Sequence, residues 1–166
     1  VLSSAAMVDL YGQIYADADI SGEWADRASR LRDSYVAAQP AERLAAMQDL
    51  WAVSGADAAP YSRHVLTAYA AARLPVDDAL GDSAGELMAS MLSAGLDANA
   101  MRWASVVEPG TQGWALLALA APGGGMTDAG GVSRYFGDDD SEESRRSAFL
   151  LAGLAGLGRL APADVE

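Results

Sequence analysis

A chain of 166 residues with no cysteine, and only arginine among its eleven Lys and Arg residues, has no thiol nucleophile, thiolate zinc site, disulfide, Schiff-base amine or P-loop lysine. Its single histidine, His64, leaves a two- or three-histidine zinc site nowhere to form within one chain and confines any histidine–carboxylate base to its own surroundings. A formal net charge of −12 repels nucleic-acid phosphate and anionic lipid, which removes nucleic acid from the expected partners.

The length suits about one domain, 1–166, able to bury roughly two thirds of its unfolded surface without a staple. The alanine-, arginine- and aspartate-rich composition fits the codon bias of a GC-rich bacterial genome. The chain begins Val1-Leu2-Ser3-Ser4, with neither methionine nor a basic leader, and reads as a piece of a longer protein. Cytoplasm and periplasm both stay open. The longest apolar run, Ala148 to Leu157, is far short of the roughly twenty residues that span a bilayer, so this region is expected to be soluble and to make no membrane contact.

Apolar residues recur at helical spacing almost throughout, without sustained two-residue alternation, which predicts an all-α fold. The first helix spans Ser4 to Tyr15, with Met7, Leu10, Tyr11 and Ile14 on one face; the second spans Gly22 to Ala38, with Trp24, Ala28, Leu31 and Tyr35 in register. Pro40 and Pro60 open segments to Val53 and to Leu74, and Pro75 ends the second of these. Ser83 and Glu86 have capping-box spacing before a helix carrying Leu87, Met88, Met91 and Leu92, which Gly95 stops.

Asp97 caps a helix from Ala98 to Val107, and Thr111 caps another from Gln112 to Ala121. A flexible glycine-rich loop is expected over 122–131, then a short helical turn from Val132 to Phe136. Asp140 and Glu143 have the second capping-box spacing, ahead of a last helix from Glu142 to Leu157. About eight or nine short helices joined by turns of roughly two to six residues predict stacked antiparallel helix pairs, as a helical-repeat-like array or an irregular orthogonal bundle. Segments Leu44 to Pro75 and Met101 to Pro122 share a degenerate rhythm: a tryptophan, a glycine-containing turn, then an apolar helix ended by proline.

Few motifs carry chemistry. Gly81-Asp82-Ser83-Ala84-Gly85 matches the nucleophile-elbow string, but no strand precedes it and the histidine lies upstream, so Ser83 reads as a helix cap. Asp17-Ala18-Asp19-Ile20-Ser21-Gly22 reproduces the opening of a calcium loop, with Asp17, Asp19, Ser21 and Glu23 as oxygen ligands. The bidentate glutamate expected at its twelfth position is replaced by Ala28, so calcium is a weak fit and no other cofactor is expected.

The acidic run Asp138 to Glu143 caps and solubilises, and the glycine-rich loop lacks the Gly-Lys-Ser/Thr of a phosphate cradle. Trp24, Trp51, Trp103 and Trp114 fall on otherwise apolar faces and suit core packing, and His64 suits a hydrogen-bonded boundary position; the same five are the candidate binding residues, because a helical groove anchors partners on aromatics. Ala148, Ala152, Gly153 and Gly156 form a small-residue stripe suited to close helix packing within the chain or across a homodimer. The composition favours a non-enzymatic scaffold that binds a protein or peptide; a small-molecule or divalent-cation module, and a carboxylate- or tyrosine-based enzyme, are the alternatives.

Overall fold

The computed structural model describes residues 3–52, 60–123, 127 and 129–160. Among them the fold is all-α, with nine α-helices, three 3-10 turns and no strand. The chain divides into two compact units, Val1–Pro75 with Ser90–Leu96, and Val76–Ala89 with Asp97–Glu166.

In the first unit lie α1 (Ser4–Ala16), α2 (Glu23–Val36), α3 (Pro40–Trp51), α4 (Pro60–Ala72) and the second half of α5 (Ala84–Ser93). Local chemistry sets their ends. The Ser3 hydroxyl accepts from the Ala6 amide at 3.2 Å, and Pro40 opens α3 while the Glu42 carboxylate accepts from the Gln39 amide at 3.2 Å. Arg43 Nε donates to the Ala37 carbonyl at 2.6 Å, closing the end of α2. Gly95 adopts φ +73, and the Leu96 and Gly95 amides return to the Met91 and Leu92 carbonyls at 2.9 and 3.0 Å. That paired return satisfies the last carbonyls of α5 and requires the left-handed residue the sequence places there.

Sequential helices pack on one another: α1 on α2, α2 on α3, α3 on α4. The core is small-residue and aliphatic, with Ala28 and Leu31 from α2, Leu44, Ala46, Met47 and Leu50 from α3, and Ala68, Ala70 and Ala71 from α4. Burying each Leu or Met contributes about 1.5–3 kcal/mol, and the alanines bring the backbones together with no rotamer entropy to lose.

The second unit begins with a 3-10 turn over Asp78–Ser83, opened by Asp77 Oδ1 accepting from the Ala79 amide at 2.9 Å. It continues through the first half of α5, α6 (Asp97–Met101), a 3-10 turn over Arg102–Ser105, α7 (Gln112–Ala120), α8 (Ala129–Gly137), a third 3-10 turn over Glu142–Ser144 and α9 (Arg145–Gly156). Thr111 caps α7 as expected, its Oγ1 accepting from the Trp114 amide at 3.3 Å. Ala115, Leu150 and Leu154 form a core where α7 meets α9, surrounded by Trp114, Leu119, Val132 and Tyr135.

Three expectations are corrected in this unit. The helix predicted over Ala98–Val107 is five α-helical residues followed by the tighter Arg102–Ser105 turn, from which Trp103 buries its whole indole, 1% exposed. Gly130 and Gly131, predicted as loop, lie inside α8: a Cβ on Gly131 would stand 2.5 Å from Cζ2 of Trp114, so the ring rests on bare helix backbone. Close packing selects glycine there against its helix propensity. Of the rest of the predicted loop, residues 124–126 and 128 lie outside the described residues.

The last helix starts at Arg145, not Glu142, because Glu143 and Ser144 take left-handed φ of 55° and 49°. Asp139, not the Asp140–Glu143 pair, supplies the capping carboxylate. It accepts from the Ser141 amide and hydroxyl and from the Ser147 amide and hydroxyl, at 3.0, 2.5, 2.8 and 2.6 Å. The two repeat-like segments also differ in form, since the helix bearing Trp51 runs twelve residues and the one preceding Trp103 runs five.

Candidate functional site

Helix α4 places Tyr61, Val65 and Tyr69 four residues apart, on one face. With Val8 of α1, Tyr35 of α2 and Leu66, they line an apolar groove of about 860 Å³ in the first unit. Two tyrosine hydroxyls are already engaged. Tyr61 donates to the Ser93 carbonyl at 2.9 Å, satisfying a carbonyl at the open end of α5, and Tyr35 donates to the Leu66 carbonyl at 2.8 Å. These bonds hold the Tyr61 and Tyr35 rings; on the same face of α4, Tyr61 is 67% exposed and Tyr69 56%.

Burial pushes the Tyr35 phenol above its ordinary range; Tyr69 adds to this and Arg73 opposes it. The Tyr35 hydroxyl stays a protonated donor at neutral pH. Asp9 is the charged side chain in the lining and accepts from Gln13 Nε2 at 3.0 Å. A smaller apolar cavity of about 190 Å³ between α1 and α2 shares Val8 and Tyr35 with the groove.

Behind α4 lies a polar network. Trp51 Nε1 donates to Thr67 Oγ1 at 2.9 Å; Thr67 Oγ1 lies 3.0 Å from Ser90 Oγ and 3.0 and 3.2 Å from the Arg63 and His64 carbonyls. Ser90 Oγ donates to the His64 carbonyl at 2.7 Å. Thr67 and Ser90 are fully buried, so the network ties α3, α4 and α5 into one register.

The predicted binding residues separate. Trp51 and His64 come together, ring centroids 5.1 Å apart, as part of the packing around this network. Trp24 is 53% exposed, lies 6.4 Å from the Tyr11 ring and carries the Arg27 guanidinium 5.2 Å above it. In the second unit Trp103 is core, and Trp114 is half-buried against Gly131. The groove is built from tyrosines instead. The Tyr61–Val65–Tyr69 spacing on α4 is the signal of this face in the sequence.

The Asp17 loop turns on itself: Asp17 Oδ1 accepts from the Asp19 amide at 2.9 Å, and Glu23 is paired with Arg27. Asp19 and Ser21 are exposed. Among the described residues no group of three or more His, Asp or Glu is positioned to hold a metal ion. No family model, curated protein or solved structure matches the chain.

Ser83 ends the 3-10 turn ahead of α5, with no strand before it among the described residues. The second unit holds an open cleft of about 500 Å³ whose wall includes Asp78, Asp82, Glu86 and Glu108. Of the small-residue stripe, Gly153 packs inward, where a Cβ would stand 2.6 Å from Leu119 Cδ2, while Ala148, Ala152 and Gly156 face outward. Among the described residues no helix is long and apolar enough to cross a membrane.

Proposed function

We propose that this chain is a non-catalytic helical scaffold that holds a short apolar segment of a partner protein, flanked by a basic residue, in the tyrosine groove of its first unit. The observation that carries the reading is the Tyr61 ring, exposed yet held through its hydroxyl, beside the exposed Tyr69 on the same face of α4. A partner that docks there buries aromatic area without first having to freeze the Tyr61 ring, and pre-organisation of this kind lowers the entropic cost of association. The two engaged hydroxyls leave a mainly apolar lining, which selects apolar anchors. Asp9 in the wall, within a chain of net charge −12, selects a cation beside them.

Selection from a random peptide display library tests this directly. Enriched peptides are expected to combine aromatic or aliphatic anchors with Lys or Arg, and to bind the Tyr61→Ala/Tyr69→Ala chain at least about tenfold more weakly, as loss of an aromatic hot spot does. Equal binding to the double variant, with its helicity intact, refutes the groove as the site. Enrichment of acidic peptides refutes the choice of partner.

A further inference from the structure

Helix α1 packs on α2 and α4 along a face that stays partly exposed. None of its side chains over 5–16 is fully buried: Met7, Val8, Tyr11 and Ile14 are half-buried, and Leu10 and Tyr15 are exposed. Helices α2, α3 and α4 each contribute fully buried residues to the core. A Cβ built on Gly12, an exposed position of α1 on the rim of the smaller cavity, meets no heavy atom within 4 Å. Its ring contacts lie at the edge: Tyr11 leans on Trp24, and Tyr15 lies under the Arg32 guanidinium at 5.0 Å.

The two apolar cavities of about 860 and 190 Å³ both include Val8 of α1 and Tyr35 in their walls. The chain leaves α1 through the turn over 17–22, which ends at Gly22 with φ +78 and ψ −153, a conformation only glycine adopts without strain. A Cβ built on Gly22 meets no heavy atom within 4 Å, so no side chain packs over the turn at that point.

We infer that α1 is a movable wall of the groove, which swings about Gly22 and merges the two cavities into a single trough for the partner segment. Its functional meaning rests on the groove reading above; the motion itself belongs to the free chain. Val8 withdraws with α1, and Tyr35, held by the Leu66 carbonyl, stays as the floor of the widened site. Binding then selects an opened state already populated, and its rate and affinity follow the fraction open.

Native-state hydrogen exchange on the whole free chain tests this. Once off its seat a 13-residue helix is marginal in water, so interior α1 amides, Val8 to Tyr15, are expected to exchange at least about 100-fold faster than those of Leu44 to Leu50 and Ala68 to Ala71, through an opening whose denaturant dependence is well below that of global unfolding. Val8→Ala is expected to speed α1 exchange about fivefold further and leave α3 unchanged. Exchange of α1 at the core's rate with the core's denaturant dependence overturns the inference, as does a Val8→Ala effect spread evenly over α1, α3 and α4. If α1 opens but selected peptides ignore Tyr61 and Tyr69, the groove reading alone fails; if peptides use the tyrosines while α1 exchanges with the core, only the movable wall fails.

Discussion

Thr67→Val gives the most direct check on what holds the groove in shape. Valine keeps the volume and β-branching of threonine, so packing and helix propensity change little and the loss is the hydroxyl. Ser90 keeps its bond to the His64 carbonyl, while Trp51 Nε1 loses the acceptor it holds at 2.9 Å. An unsatisfied buried donor costs about 1–3 kcal/mol. Trp51 is half-buried and water can reach part of it, which places the expected loss at about 1–2 kcal/mol.

Chemical denaturation followed by tryptophan fluorescence reads this as a lowered midpoint at unchanged slope. The same substitution in a Trp51→Phe background, where no donor is left to orphan, is expected to cost about 1 kcal/mol less. A Thr67→Val loss below about 0.5 kcal/mol, or the same loss in both backgrounds, would show that the network does not hold α3 and α4 in register as argued.

Two helical glycines are expected to respond with opposite sign. Gly12→Ala, with open space around the new methyl, stabilises by about 1 kcal/mol from helix propensity, whereas Gly131→Ala, driven into the rigid Trp114 ring, destabilises by about 1–3 kcal/mol; melting of each variant decides. The Ser141 hydroxyl, then the Ser147 hydroxyl and the two amides, hold the Asp139 carboxyl below the carboxylate range, against the pull of desolvation. Its folded pKa is depressed, so the stabilisation is present above the unfolded value near 4 and is lost as pH falls through and below it. The melting temperatures of the native chain and of Asp139→Ala should therefore differ at neutral pH and converge as pH drops below about 4; a constant difference removes Asp139 as the cap of α9. With Ala28 at the loop's twelfth position and Glu23 held by Arg27, millimolar calcium should leave Trp24 fluorescence and the melting temperature unchanged, and a saturable shift would refute that.

The sequence by itself determined the all-α class, most helix limits and the absent chemistries, because these depend on local signals. Pro40 opens α3, Thr111 caps α7 and Gly95 ends α5 through groups within about one turn of themselves. Tertiary structure alone decided what depends on contacts between distant residues. Gly130 and Gly131 look like a loop until Trp114 needs a bare helix surface; Asp139 looks like one acid among five until Ser147 comes within reach. The groove belongs to the same category. Tyrosines 35, 61 and 69 lie on two helices, and Tyr35 and Tyr61 become rigid only through the Leu66 and Ser93 carbonyls, which periodicity cannot pair with them. Periodicity reports which face of a helix is apolar; which apolar face is left uncovered is settled only when all the helices have packed.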